Sequence, residues 1–346
     1  MIWLTWRQFR VQALTAAAAL AAFAILLAIT GPHLASLYST SKVPGCHGFA
    51  CSNAADAFLD KLAGLDTFVY LLGIGLVLVA PAIIGIFWGA PLIAREVEAR
   101  TFNLAWTQGT TRTQWLATKV ALTGLAAMAV TEALSLIYSW WASPIINSTG
   151  LSSSGPQLFS QGKFSSVIFA THGIVPLGYA AFAFTLGTAA GALIRRTVPA
   201  MAVTLAIFAA VQVVMPLAVR PHLAPASHTT FGIQAADQVY GSLTADVVPG
   251  QPDAWILSSQ ALNAAGQPVS AIPAGCFSPP AGPGAKGGTS SITPGQCMQN
   301  RGYREAISYV PTSRYWLLQW TETGIFLILA LALAWFSFWR LSRRRT

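Results

Sequence analysis

Three side chains with acid–base chemistry stand inside long apolar runs of this sequence: Glu132, Glu322 and His172. An ionised carboxylate at the centre of a bilayer costs at least about 2.5 kcal/mol, so each carboxylate must face protein or water, or stay protonated. Two roles satisfy that rule. The carboxyls either line a translocation path or couple to protons, or they bond to a Thr, Ser or Trp of a neighbouring helix and hold a bundle together. His172 has the same choice, between a path and a hydrogen bond to nearby backbone.

Commoner chemistries are missing from the sequence. The Gly-rich stretch with a lysine, Gly282 to Gly288, lacks the Gly-Lys-Ser/Thr ending of a phosphate loop. The five histidines show no metal-ligand spacing, and no Gly-x-Ser-x-Gly elbow occurs. A chain without catalytic residues, metal site or cofactor of its own is therefore expected. Cys46, Cys51, Cys276 and Cys297 fall in two polar segments and suit disulfides. Proximity favours Cys46 with Cys51 and Cys276 with Cys297, beside the alternative of free thiols.

Charge is scarce except between Ile93 and Lys119, where Arg95, Arg100, Arg112 and Lys119 accompany Glu96 and Glu98. Glu96 and Arg100 are four apart, a helical pair. Phe102, Leu104, Ala105 and Trp106 supply an apolar face, Gln108 to Thr110 a turn, and Thr111 to Lys119 the start of another helix. A short helix between turns suits a partner's groove. It also suits an interfacial connector, but Glu96 and Glu98 would be repelled by an anionic lipid surface.

The elements that position these groups follow from composition. The 346 residues are 54% hydrophobic and 9% charged, and the mean hydropathy is +0.56. Soluble domains carry roughly 25% charged residues, so an integral membrane protein is expected. The net charge of +9 lacks the interleaved aromatics of a nucleic-acid surface, so no nucleic-acid partner is expected. Six runs are long enough to cross a hydrocarbon core, at about 11–29, 67–93, 120–141, 166–194, 198–219 and 316–339. The expected class is an all-α membrane protein with six transmembrane helices. Residues 1–10 suit a helix lying in the interface. Pro81 is expected to bend the second span, and Gly178, Gly187 and Gly191 to let the fourth pack closely.

Twelve of the twenty Lys and Arg residues flank the spans on one side if both termini, the 95–119 loop and the Arg195-Arg196 turn share it. By that bias both termini are cytoplasmic. The loops 30–66 and 142–165 and the segment 220–315 are then external, where the cysteines would oxidise. The first five spans make up 1–219. Segment 220–315, rich in Pro, Gly and Ser, is expected to be a loop-rich, disulfide-stapled cap, and 316–346 the sixth span with a basic tail.

Glu96-x-Glu98, then Thr101, Leu104 and Thr107, followed by Thr111-Arg112-x-x-Trp115-x-x-x-Lys119, resembles the coupling-helix region of type-2 ATP-binding-cassette (ABC) exporter permeases. Pro311 to Glu322, PTSRYWLLQWTE, is similar to the sixth-span entry of actinobacterial-like members of that family. Arg100-Thr101 stands where Gly-Thr is usual, and the long 220–315 insertion is not typical. The resemblance implies a noncatalytic cell-membrane permease subunit. It would pair with a second permease subunit, as a homodimer or heterodimer, and dock a separate ABC ATPase that carries the ATP and magnesium. Glu96, Glu98, Arg100, Leu104 and Arg112 are the expected docking residues. The competing classes are a proton-coupled carrier working through Glu132 or Glu322, and a sensor or immunity protein with the external segment as receptor.

Overall fold

A computed structural model describes residues 2–44, 46, 50–62, 64–98, 112–149, 151, 162–232, 248, 251, 253–270, 273, 276 and 294–342. The side chains at 2–6, 8, 50, 96, 97, 112, 113, 115, 116, 294, 295, 341 and 342 lie outside that description. The chain forms two compact units, Met1–Leu223 with Trp316–Thr346, and Ala224–Tyr315.

The first unit opens with α1 (Ile2–Thr40) and α2 (Ala50–Leu59), then α3 (Leu65–Ile84), which passes through a π turn (Gly85–Gly89) into α4 (Ala90–Glu98). It continues with α5 (Arg112–Thr149), α6 (Ser166–Thr171), α7 (Val175–Ile194) and α8 (Thr197–Val214). A π turn (Met215–Val219) and a 3-10 turn (Arg220–His222) extend α8. The second unit contains β1 (Ser227–Gly232), β2 (Trp255–Leu262), β3 (Pro268–Val269), α9 (Pro294–Asn300) and β4 (Arg304–Val310). Helix α10 (Tyr315–Ser342) returns to the first unit. Six helices among the described residues are long and apolar enough to cross a membrane, in the six places expected from composition.

Three expectations change. Residues 30–40, expected in a loop, prolong α1 through Pro32, so the interfacial lead-in and the first span form one helix of 39 residues, about 58 Å long. Residues 142–149 likewise prolong α5 through Pro144. Burial accounts for both extensions, because Leu34, Val43, Phe58, Leu59, Trp141, Ile145 and Ile146 share one apolar cluster that needs the helices at that length. The class is mostly helical rather than all-α, since the second unit carries an antiparallel sheet in the order β1-β4-β2-β3.

In that sheet, β1 and β4 pair from Ser227↔Tyr309 to Gly232↔Arg304. One face is buried around Ile307 with Val248 and around Ala261 with Cys276 and Met298. The other exposes His228, Thr230, Ser258 and Gln260. A disulfide joins Cys276 to Cys297, and in the first unit another joins Cys46 to Cys51.

Helix α7 is by far the most enclosed of the six and organises the bundle. The second span runs parallel to it at backbone contact. A Cβ on Gly187 would lie 2.2 Å from the Gly85 oxygen, one on Gly89 2.4 Å from the Phe184 oxygen, and one on Gly191 2.5 Å from the Ala90 oxygen. Two Gly-x-x-x-Gly pairs thus face one another, the arrangement that lets helices approach without a hydrophobic driving force. The opposing atoms are backbone and cannot rotate away. Gly187→Ala should therefore destabilise the bundle by about 1–3 kcal/mol, whereas Gly75→Ala, with nothing within 4 Å of the added carbon, should change stability by less than about 0.5 kcal/mol. Unfolding titrations in denaturing detergent measure both, and equal effects would refute the close-packing account.

Candidate functional site

The fourth span is broken. Helix α6 stops at Thr171, His172 turns extended, and α7 restarts at Val175. In an apolar medium the peptide groups freed by such a break have no water to bond, so protein must supply their partners. Gln319 of α10 does most of this. Its Oε1 accepts from the Ile174 and Val175 backbone nitrogens at 3.1 and 3.2 Å, and its Nε2 donates to the His172 oxygen at 3.1 Å and the Phe169 oxygen at 3.4 Å. All four hydrogen-bonding positions of the amide are used.

From the other side Ser135 of α5 shares its hydroxyl between the oxygens of Thr171 and Gly173, each at 3.2 Å. Gly173 has φ +72°, and a Cβ there would lie 2.7 Å from the Gln319 Oε1, so the position requires glycine on two counts.

This junction is where the sequence-predicted polar residues fall. Glu132 accepts the Leu177 backbone N–H, so with Pro176 lacking a donor the first turn of α7 is capped by side chains of α5 and α10. A carboxylate at a helix N-terminus also meets the positive end of the helix dipole. The other oxygen, Oε2, is buried with no hydrogen-bond partner among the described residues. His172 bonds through Nδ1 to the Ile168 oxygen at 2.8 Å and lies 2.9 Å from the Thr171 hydroxyl. Its ring packs against Tyr138, centroids 5.1 Å apart.

Glu322 lies one turn beyond Gln319 on α10 and is 0% exposed. Arg220, 1% exposed, meets it in a two-pronged pair, Nε to Oε2 at 2.9 Å and Nη2 to Oε1 at 3.1 Å. Tyr179 of α7 donates to the same Oε1 at 2.6 Å. The guanidinium also lies over the Phe169 ring, 4.3 Å from its centroid. Forked pairing of this kind is among the stronger polar contacts a protein makes. The π turn before it, in which the Arg220 N–H bonds the Met215 oxygen, sets the direction of the arginine.

At the other end of α8 a third polar contact joins separate helices. Residue Glu98 closes α4, and its carboxylate accepts the Thr197 backbone N–H at 3.1 Å and the Thr197 hydroxyl at 2.5 Å. The N-cap residue of α8, Arg196, supplies no side-chain cap of its own, so Glu98 fills that role from another helix. The two bonds from Thr197, and then the charge of Arg196, hold the Glu98 carboxyl below the usual range. Arg100 and Leu104 lie outside the described residues, as do the side chains of Glu96 and Arg112.

The pairing residues Arg220, Gln319, Tyr179, Ser135 and Thr197 were not singled out from the sequence. Their only advance signal is spacing: Gln319 and Glu322 are three apart on one helical face. Among the described residues no three His, Cys, Asp or Glu side chains cluster as metal ligands would. The arrangement holds charges in fixed positions and joins helices.

A family model described as ABC-2 membrane transporter related matches residues 17–220, from within the first span to Arg220 near the end of the fifth. Comparison with curated proteins and with solved structures returns no match.

Arg220→Met leaves a buried carboxylate without its partner and should cost about 3–5 kcal/mol. Adding Glu322→Leu and Tyr179→Phe makes the site apolar and should restore most of that loss. A detergent-unfolding titration in which the triple variant is no more stable than the single one would show that the pair does not account for the effect.

Proposed function

The chain belongs to the ABC-2 membrane transporter related family, and we propose that it is the noncatalytic, membrane-spanning subunit of an ATP-driven exporter. In this reading the charged 95–119 segment docks a separate ATPase, which supplies the ATP and magnesium. Two copies, or this chain and a related one, enclose the path in the cell membrane. Both termini are cytoplasmic, and the sheet-bearing unit Ala224–Tyr315 is external. The four cysteines support that orientation, because both disulfides fall in segments it exposes to the oxidising side.

The single observation that carries the reading is the helical continuity into the charged segment. The second span runs without interruption from Leu65 to Glu98, and α5 starts again at Arg112. A displacement of the segment by a nucleotide-driven partner therefore travels along stiff helices, one of them in backbone contact with the buried α7. A proton-coupled carrier needs a carboxyl free to load and unload. Glu322 is instead held by Arg220 and Tyr179, which argues against Glu322 as a proton-coupling group.

The full-length chain, tagged and purified in mild detergent from the membranes of its own cells, should carry an ATP-hydrolysing subunit. Replacing Glu96 and Arg100 by Ala should lower the recovered ATPase at least tenfold, a loss of about 1.4 kcal/mol or more in docking. Recovery of no ATPase, or an unchanged yield with the variant, would overturn the assignment.

A further inference from the structure

The fifth span packs on the second and fourth spans through one face and carries a polar bond at each end. Within α8 only Ala200, Thr204 and Phe208 are buried, while Val198, Leu205, Ile207, Val213 and Val214 are exposed. One end is bonded to Glu98 through Thr197. Past the other end, Arg220 is bonded to Glu322, whose Oε1 also accepts from the Tyr179 hydroxyl. Between these two clips lies a helix of 18 residues, a rod about 27 Å long.

The clip at Thr197 lies where force would enter. Glu98 is the last residue of α4, near the start of the 95–119 segment assigned above to ATPase docking, and Ala90 and Ala94 of the same helix pack on Gly191. Both Glu98 oxygens are engaged by Thr197, which leaves docking to Glu96, Arg100 and their neighbours. We propose that Glu98 is a positioning residue that couples movement of the charged segment to α8, and that the Arg220–Glu322 pair is the anchor about which α8 turns. This inference rests on the ATP-driven reading and assigns Glu98 a different task from contact with the ATPase.

All four cysteines are joined in disulfides, so cysteines introduced at the exposed positions Val203 and Trp335 can carry spin labels. In the full chain purified with its ATPase, trapping with ATP and vanadate should change the 203–335 distance. Glu98→Ala should abolish that change while ATPase recovery and hydrolysis persist, and Thr197→Ser, which keeps both donors, should preserve it. Glu98 is exposed, so the variant is not expected to unfold, and its melting temperature checks this. An undiminished change in Glu98→Ala overturns the proposal, as does no change in the unmodified chain or a loss of ATPase recovery in Glu98→Ala. Absence of an ATPase from the unmodified preparation overturns the functional reading itself, and the coupling role with it.

Discussion

A peptide group in an apolar medium must find its hydrogen-bond partner within the protein, and the break at His172 to Ile174 puts several such groups at the buried entry to the fourth span. The break is tolerated because one amide, Gln319, has two donors and two acceptors and spends all of them there. Ser135 and Glu132 complete the set from α5. The third, fourth and sixth spans are thereby locked in register by polar contacts that slide less readily than apolar ones. Both acidic residues of the apolar runs have local partners: Glu132 accepts a backbone N–H at the start of α7, and Glu322 pairs with an arginine.

Around that junction two kinds of helix contact differ in what they permit. Where Gly85 and Gly89 meet Gly187 and Gly191, backbones touch over two turns and no rearrangement is available without separating the helices. Helix α8 packs instead through side chains, Ala200 beside Ala90 and Ala190 and Phe208 against Tyr179, with directional bonds added at its ends. The second and fourth spans therefore form a stiff pair, to which the fifth is joined by side chains. That division follows from which residues lie at each contact, glycine in one case and Glu98, Thr197, Arg220 and Glu322 in the other.

Much of this was legible in advance, and the misses have physical causes. Apolar run length found all six spans, and the small residues of the fourth marked its close packing. Proximity selected the cysteine pairs that the structure contains. Run length failed at Thr30–Thr40 and Ala142–Thr149, where polar residues and a proline ended the apolar count but tertiary burial kept the helix. Charge counting placed Arg220 at the start of an external segment, because a cation beside an apolar run is usually a topology signal. Burial against a carboxylate 102 residues away leaves no mark in local sequence. The strands were hidden for a related reason: β4 buries Glu305, paired with the Ser259 hydroxyl, at a position where alternation calls for an apolar residue.

The pairing of β1 with β4 joins the first strand of the inserted unit to its last, Ser227 opposite Tyr309. Entry and exit are therefore neighbouring strands, about 5 Å apart. An insertion with adjacent ends imposes almost no spacing of its own on the chain that carries it. The fifth and sixth spans can stand as close with this unit between them as they would with a short loop. A short linker in place of the unit would therefore meet the same spacing between the two spans, and the family match ends at Arg220, just before this junction.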